Sequence, residues 1–225
     1  MKTVEATAAA APAVLDDLRA ERRRLCRAVS ALHARGWCPG TGGNLSLNLG
    51  GDPPRLLITP SGLDKGRLEP DDLVLYGGAS PKAAAGRHRP SAEALLHLAI
   101  ARETSAAAVF HTHSVAATLL SEHFEAAGGF TLRGYEMLKG LSGVASHEAE
   151  VRVPILANSQ DMSALGRRVE RLLAERPGLH GFLLAGHGLY TWGASVEEAQ
   201  RHVEVLEFLM ECAARRTPFS PFGGT

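Results

Sequence analysis

The sequence predicts an α/β domain in which helices cover a mixed, largely antiparallel sheet. Two observations lead to this prediction. Segments with apolar residues at helical spacing interleave along the chain with short apolar or alternating segments, which are typical of strands. Several of the strand-like segments are joined by short turns rich in glycine and proline, and turns of that length connect antiparallel strands. A doubly wound parallel sheet is therefore not expected.

The predicted elements begin with a helix over 14–35, in which leucines recur at helical spacing and which ends at Gly36. Two alternating segments, 45–48 and 55–59, flank a turn at 50–53 and predict a hairpin. The remaining predicted elements are a strand at 72–76, a basic loop at 77–89, a helix from 90 to about 102, a strand at 107–112, a loop or short helix at 122–129, a strand at 151–156, a helix at 159–176, strands at 181–185 and 189–192, and a last helix from 195.

Length and composition are those of an ordinary globular protein. The chain has 225 residues, of which 45% are hydrophobic. We expect one domain over 13–216, with a flexible tail at 1–12 and an irregular tail at 217–225.

Charge, cysteine content and hydropathy exclude several classes of partner. Acidic and basic residues balance at 24 each, so no basic surface for nucleic acid is expected. No segment approaches the ~18 consecutive apolar residues of a membrane span. The three cysteines are widely spaced, which fits a reducing cytoplasm better than a disulfide framework. Neither nucleic acid nor a membrane is therefore expected as a partner.

Three histidines in two short phrases are the candidate metal ligands. His111 and His113 are two residues apart on a predicted strand, so their side chains point to the same face. His187 follows another apolar strand, between Gly186 and Gly188, which allow backbone and ligand to approach closely. Three neutral imidazoles with an open fourth position describe a catalytic zinc site. The alternative is that they are unrelated histidines at strand ends.

Three polar turns precede the histidines along the chain, at 41–44, 59–62 and 90–93. Their small residues expose backbone N–H groups, and together they would form an anion cradle to which the third turn adds a helix N-terminus. Lys65 follows the second turn and could supply a point charge to a phosphate. The simpler alternatives are ordinary turns and a surface lysine.

Two carboxylates are candidates for proton transfer. Glu93 lies in the first turn of a predicted helix, where the helix dipole favours a negative charge in any case. Glu136 lies among glycines and apolar residues, about two dozen residues after the strand with two histidines. Partial desolvation there would raise its pKa towards that of a useful general acid or base.

Five motifs occur in an order that resembles the class II aldolase/adducin family. They are Gly-Thr-Gly-Gly-Asn, Ile-Thr-Pro-Ser-Gly, Ser-Ala-Glu, His-Thr-His-Ser and Gly-His-Gly, and the resemblance spans roughly residues 14–214. The resemblance implies a three-layer α/β/α fold around a mostly antiparallel sheet. It also implies a homotetramer with active sites at subunit interfaces.

The resemblance further implies roles for individual residues. One zinc ion per subunit would be held by His111, His113 and His187. The substrate and its phosphate would be bound by Thr41, Asn44, Ser61, Gly62 and Ser91, with Lys65 and Glu93 nearby. Glu93 matches the acid/base at the metal site of the family's aldolases, and Glu136 matches the proposed acid/base of its dehydratases.

Several phrases are similar to the dehydratases of the family, among them Glu-Met-Leu-Lys-Gly at 136–140. The implied reaction is the loss of water from a phosphorylated ketose. The family's aldolases tend to carry a tyrosine near the C-terminus, and this chain has none after Tyr190. Two alternatives stay open: a sugar-phosphate aldolase or epimerase, and an adducin-like binding module without catalysis. The three histidines argue against the binding module.

Overall fold

The computed structural model describes residues 18–78, 87–104 and 106–218. Its strands are β1 (Asn44–Asn48), β2 (Arg55–Ile58), β3 (Val74–Gly77), β4 (Ala108–Thr112), β5 (Gly129–Leu132), β6 (Val151–Leu156), β7 (Gly181–Leu184) and β8 (Gly188–Gly193). Its α-helices are α1 (Arg19–Ala34), α2 (Ala94–Thr104), α3 (Val115–His123), α4 (Met162–Glu175) and α5 (Val196–Arg216). Short 3₁₀ helices lie at Lys65–Arg67, Pro70–Asp72 and Glu136–Gly140, and the last is called the 136–140 turn below.

The eight strands form one sheet in the order β3-β2-β1-β4-β8-β7-β6-β5. Neighbouring strands are antiparallel except for β6 and β7, which are parallel. The predicted mixed, largely antiparallel sheet is therefore confirmed. The central strands β4 and β8 pair with His111 opposite Tyr190, which brings the two histidine phrases to neighbouring positions.

Side chains of the central strands alternate between the two faces of the sheet, and helices pack on both faces to give three layers. Phe110 of β4 packs with residues of α1 and α5 on one face of the sheet. Its neighbour Val109 packs with α2 and α4 on the opposite face, together with Phe182 and Tyr190. Helix α3 joins the α5 side through Ala117. Successive side chains of a strand point to opposite faces, so both faces of this sheet need helices to cover their apolar residues. The implied three-layer α/β/α fold is confirmed.

Two elements were missed by the sequence patterns. Helix α3 and strand β5 lie mostly on either side of the loop or short helix expected at 122–129, in stretches for which no element was predicted. Ser114 starts α3, since its hydroxyl accepts a hydrogen bond from the Ala117 N–H at 3.0 Å. Strand β5 has only four residues and is held by antiparallel pairing with β6. Both elements are too short for periodicity to define them; local capping and pairing to a distant strand do so instead.

The expected N-terminal tail at 1–12 lies outside the described residues, as do 79–86 of the predicted loop and 219–225 of the expected C-terminal tail. Within the described ranges, no helix has both the length and the apolar character needed to cross a membrane.

Candidate active site

The three histidines converge at one end of the central strands. The Nε2 atom of His111 lies 2.7 Å from that of His113 and 3.3 Å from that of His187. One ligand atom from each of the three falls within 4.8 Å of the others. Strand β4 supplies His111, His113 follows directly after the end of β4, and the tight turn between β7 and β8 supplies His187. The structure therefore brings together side chains that are 76 residues apart in the chain.

Hydrogen bonding and close packing fix the orientation of two of the rings. His111 Nδ1 lies 2.9 Å from the Leu189 carbonyl oxygen, so Nδ1 carries the proton and Nε2 keeps its lone pair. A Cβ on Gly188 would collide with the Thr112 carbonyl, and one on Gly42 would lie 2.9 Å from His113 Nδ1. Both glycines are needed because backbone passes directly against the cluster.

Burial and mutual repulsion keep the imidazoles of His111 and His113 neutral. Burial lowers the pKa of His111 well below its usual value, and the neighbouring His113 and His187 lower it further. Burial, followed by the proximity of His187, lowers the pKa of His113 to about 4. Neutral imidazoles with free Nε2 lone pairs are the form that binds a metal.

The donor set fits a divalent metal ion. Two ligand nitrogens on a tetrahedral zinc ion lie roughly 3.3 Å apart, because each is about 2.05 Å from the metal. The Nε2 atoms of His111 and His187 are separated by this distance, and the Nε2 atoms of His111 and His113 lie closer together. A set of three histidines also suits ions other than zinc. What the structure supports is a metal site of three imidazoles.

Glu93 faces the histidine cluster, a position that the sequence left open. Its Oε1 lies 3.1 Å from His187 Nε2 and 3.6 Å from His111 Nε2, and its side chain is 16% exposed. Glu93 immediately precedes α2, whose N-terminus therefore points at the cluster. A carboxylate in this position can bind a metal ion or exchange a proton with a substrate held beside it.

The three polar turns also converge. The Asn44 amide of the first turn donates to Glu93 Oε2 of the third at 2.6 Å. The Ser61 N–H of the second turn donates to the Arg89 carbonyl beside the third at 3.0 Å. Lys65 joins the first two turns, because its ammonium donates to the Thr41 and Pro60 carbonyls. The turns form one surface next to the histidines, as the anion-cradle hypothesis requires.

Lys65 has a different environment from the one expected. Its residue is 1% exposed, and its ammonium donates to three carbonyls, at 2.8 Å to Thr41, 3.0 Å to Leu63 and 3.3 Å to Pro60. An ammonium has three donors, so all of them are engaged within the protein. The simpler reading as a surface lysine is wrong, and a direct bond to phosphate would require one of these bonds to break. Burial lowers the pKa of Lys65.

The other predicted phosphate-binding residues differ in accessibility. Thr41, Ser61 and Gly62 are exposed at the surface of the turns. Ser91 is half-buried, and its hydroxyl accepts a hydrogen bond from the Glu93 N–H at 3.2 Å. Asn44 is buried, with its side chain engaged by Glu93 and by His97. Thr41 and Ser61 are therefore the hydroxyl groups most accessible to an anion.

Glu136 does not lie at the histidine cluster of its own chain. Its side chain is 70% exposed and forms an ion pair with Lys139, and its Oε2 lies 3.8 Å from His147 Nδ1. The expected desolvated carboxyl with a raised pKa is wrong for the single chain, because the hydrogen bond from Lys139 lowers the pKa of Glu136. Lys139 lies three residues further along, where the 3₁₀ turn places it beside the carboxylate.

Two residues of the site were missed by the sequence reasoning. The sequence patterns singled out neither His97 nor Tyr190 as a residue of the site. His97 is fully buried behind Asn44, and Tyr190 stacks on His111 with ring centroids 4.0 Å apart. The spacing of Glu93 and His97, four residues apart at the start of a helix, was an available signal.

Comparison with known proteins gives the family. The sequence model described as the class II aldolase and adducin N-terminal domain matches residues 23–214. This chain belongs to the class II aldolase and adducin family. Two curated relatives are methylthioribulose-1-phosphate dehydratases. The one from Pectobacterium atrosepticum is 47% identical over 200 residues, covering 87% of this chain and 96% of the relative. The one from Yersinia enterocolitica is 50% identical over 183 residues, covering 81% and 85%.

Solved structures agree with this assignment. The L-fuculose-1-phosphate aldolase of Thermus thermophilus superposes with a TM-score of 0.66 at 28% identity, covering 87% of this chain and 94% of the aldolase. A sugar-phosphate aldolase of Thermotoga maritima has a TM-score of 0.69 at 20% identity, covering 90% and 99%, and shows the shared fold alone.

Proposed function

We propose that the protein catalyses the dehydration of 5-methylthioribulose 1-phosphate to 2,3-diketo-5-methylthiopentyl 1-phosphate, a step of methionine salvage. The observation that carries this proposal is the histidine cluster with Glu93 facing it, next to converging polar turns. The similarity to curated dehydratases selects this reaction among those that such a site could perform.

His111, His113 and His187 would hold one zinc ion per subunit. A zinc ion bound there supplies a Lewis acid that stabilises negative charge on substrate oxygens when a neighbouring proton is removed. The neutral state of His111 and His113 favours binding at neutral pH, since no proton has to be displaced from these two rings.

The polar turns would hold the phosphate. Thr41 and Ser61 offer accessible hydroxyls, and the turns offer backbone N–H groups. The charge of Lys65 lies beneath them and favours an anion above without contacting it directly. Binding energy from the distant phosphate then orients the ketose carbons against Glu93.

Two carboxylates would divide the proton transfers. Glu93 takes the proton from C3 of the ketose, and the electron pair of that C–H bond moves into a C2–C3 double bond, which leaves negative charge on the C2 oxygen. In a second step the C2 carbonyl returns, a C3–C4 double bond forms and the C4 hydroxyl leaves. Glu136 donates the proton with which that hydroxyl departs as water. The resulting enol takes up a proton at C4 and loses one from its oxygen to become the 2,3-diketone. The net change is the loss of one water molecule.

A second copy of the chain would supply Glu136. Leu138, two residues after Glu136 in the same 136–140 turn, is buried on the α3–α5 side of the sheet, whereas His111 stacks on Tyr190 on the α2–α4 side. Within one chain the two groups therefore belong to opposite faces. We propose a cytoplasmic homotetramer in which neighbouring subunits complete each other's sites.

An exposed apolar surface supports such assembly. Val115, Met137 and Phe208 are 76%, 41% and 46% exposed. They lie on α3, the 136–140 turn and α5, and both of the first two elements pack against α5. Large exposed apolar side chains on adjoining elements are typical of protein–protein contacts.

The proposed function is tested by incubating the protein with 5-methylthioribulose 1-phosphate and following the diketone by mass spectrometry. Diketone that forms with zinc and disappears with a chelator is expected. Cleavage of L-fuculose 1-phosphate without any diketone would instead show the aldolase alternative. Inactivity on every ketose phosphate, in protein without bound metal, would show the binding-module alternative.

A further inference from the structure

A line of buried hydrogen bonds runs from Glu93 away from the histidine cluster. Glu93 Oε2 accepts from the Asn44 amide at 2.6 Å, and Asn44 Oδ1 lies 2.5 Å from His97 Nε2. His97 Nδ1 lies 2.8 Å from the Ser46 hydroxyl. Asn44, His97 and Ser46 are 3%, 0% and 0% exposed. The line therefore lies entirely inside the protein beyond Glu93.

The donors and acceptors of these residues allow only one direction for this line of hydrogen bonds. An ionised carboxylate only accepts, so Asn44 must turn its NH₂ group to Glu93 and its carbonyl oxygen to His97. His97 must then carry its proton on Nε2, and its bare Nδ1 accepts from Ser46. Burial lowers the pKa of His97 to about 3, which agrees with a neutral ring carrying a single proton.

The fold places these groups by two regular spacings. Asn44 and Ser46 are two apart on β1, so both side chains point to the α2 face of the sheet. Glu93 and His97 are four apart at the start of α2, so they lie on one side of that helix. The Asn44 side chain fills the space between them.

We propose that His97 is a positioning residue that holds Asn44 in the one orientation in which it fixes the Glu93 carboxylate against the histidine cluster. This proposal rests on the proposed role of Glu93 at the metal site. Without the His97 donor, the Asn44 amide can rotate and turn its oxygen towards Glu93, and the two acceptors then repel each other. Glu93 would lose its fixed distance to His187 and His111.

The test compares His97→Leu with His97→Gln in the full-length protein. Leucine fills the space without a donor, whereas glutamine can present an N–H close to the former Nε2 position. The control is His202→Leu, which removes another buried histidine that bonds to the Trp192 carbonyl, away from Glu93. All variants are first checked for folding by circular dichroism and thermal melting.

The main readout is Co²⁺ binding, followed through the visible absorption bands that report coordination geometry. For His97→Leu we expect changed bands and a Kd for Co²⁺ raised by about 10–100-fold, the usual effect of losing a group that orients a metal-site carboxylate or ligand. For His97→Gln and His202→Leu we expect values near those of the unaltered protein. In turnover, His97→Leu should lower kcat with KM nearly unchanged, because Glu93 acts on the reacting carbons whereas the accessible hydroxyls of Thr41 and Ser61 would hold the phosphate.

A folded His97→Leu protein with unaltered Co²⁺ bands and Kd would overturn the proposal, as would the same changes in His202→Leu. If His97→Leu does not fold, Ser46→Ala takes its place, since it removes only the hydroxyl that fixes the ring. A raised Kd for Co²⁺ in that variant supports the proposal, and an unaltered one overturns it. The Co²⁺ measurements decide the point even if the protein fails to dehydrate the proposed substrate.

Discussion

Thr112, which lies between His111 and His113, points to the opposite face of the sheet and contacts the buried carboxyl of Glu207. Its hydroxyl donates to Glu207 Oε1 at 2.7 Å, and Glu207 is 2% exposed. Burial raises the pKa of Glu207 to about 7, against the opposing effect of hydrogen bonds from Ser114 and Thr112. The opposite face of β4 is therefore joined to α5 by a carboxyl that is easily protonated.

This pKa predicts a pH-dependent stability. Because the folded protein holds the Glu207 proton more tightly than the unfolded chain, its free energy of unfolding falls as pH rises from about 4.5 to about 7. The loss is about 1.4 kcal/mol per unit of pKa difference. Glu207→Gln keeps a neutral side chain, so its urea-unfolding free energy should depend less on pH across this range. Parallel pH profiles for the two proteins would contradict the assignment.

The two acid/base residues should separate in an isotope experiment. Glu136→Gln should keep its fold and bound zinc and lose dehydration by about 10²–10⁴-fold, while still exchanging the C3 hydrogen in D₂O. Glu93→Gln should lose both exchange and dehydration. Exchange is followed by NMR of the recovered substrate. Near-normal turnover of Glu136→Gln would refute the proposed role of Glu136. If Glu93→Gln exchanged the C3 hydrogen and Glu136→Gln did not, the two roles would be reversed.

His113→Ala should bind much less zinc, because it removes one of three ligands that converge on a single point. The metal content of purified protein, measured by mass spectrometry, checks this. His33→Ala is the matched control, since His33 lies on α1 and bonds to the Cys38 carbonyl. Equal zinc in the two variants would contradict the assignment of the ligands.

At the scale of elements, the pairing of β4 with β8 sets the histidine cluster. The strands lie so close at the start of β8 that a Cβ on Gly188 would collide with the Thr112 carbonyl. Tyr190 stands opposite His111 and stacks on its ring. The positions of both histidine motifs thus depend on the register in which β4 pairs with β8.

Gly188→Ala should lower the free energy of unfolding by roughly 2–3 kcal/mol or more and weaken zinc binding, since the strands must separate. Gly166→Ala is the matched control. It lies in α4 with nothing within 4 Å of its new Cβ, so it should stabilise the protein by about 0.5–1 kcal/mol. Urea unfolding of both variants checks this, and an unchanged Gly188→Ala protein would contradict the close approach.

The sequence predicted the regular elements best where their patterns of apolar residues are long. The long amphipathic helices α1, α4 and α5 and the hairpin of β1 and β2 follow the predicted segments closely. Helix α3 and strand β5 did not emerge, because nine and four residues give too little periodicity. Their existence depends on a cap and on pairing with β6.

At the scale of the whole molecule, the position of Glu136 predicts sites shared between subunits. A mixture of His113→Ala and Glu136→Gln chains, unfolded and refolded together, should regain activity that neither has alone. In a closed ring with random mixing, about a quarter of the sites would combine intact histidines with an intact Glu136. Activity equal to the sum of the separate variants would show that each chain uses its own Glu136.

The sequence by itself determined the family, the three histidines of the candidate metal site and most of the regular elements, because short motifs and periodic patterns record local chemistry. The tertiary structure decided what surrounds them. It placed Glu93 against the cluster, turned Asn44 and His97 towards Glu93, buried Lys65 under the turns and left Glu136 exposed on another face. These outcomes depend on which faces of distant elements meet. No single spacing along the chain shows which distant faces will pack together.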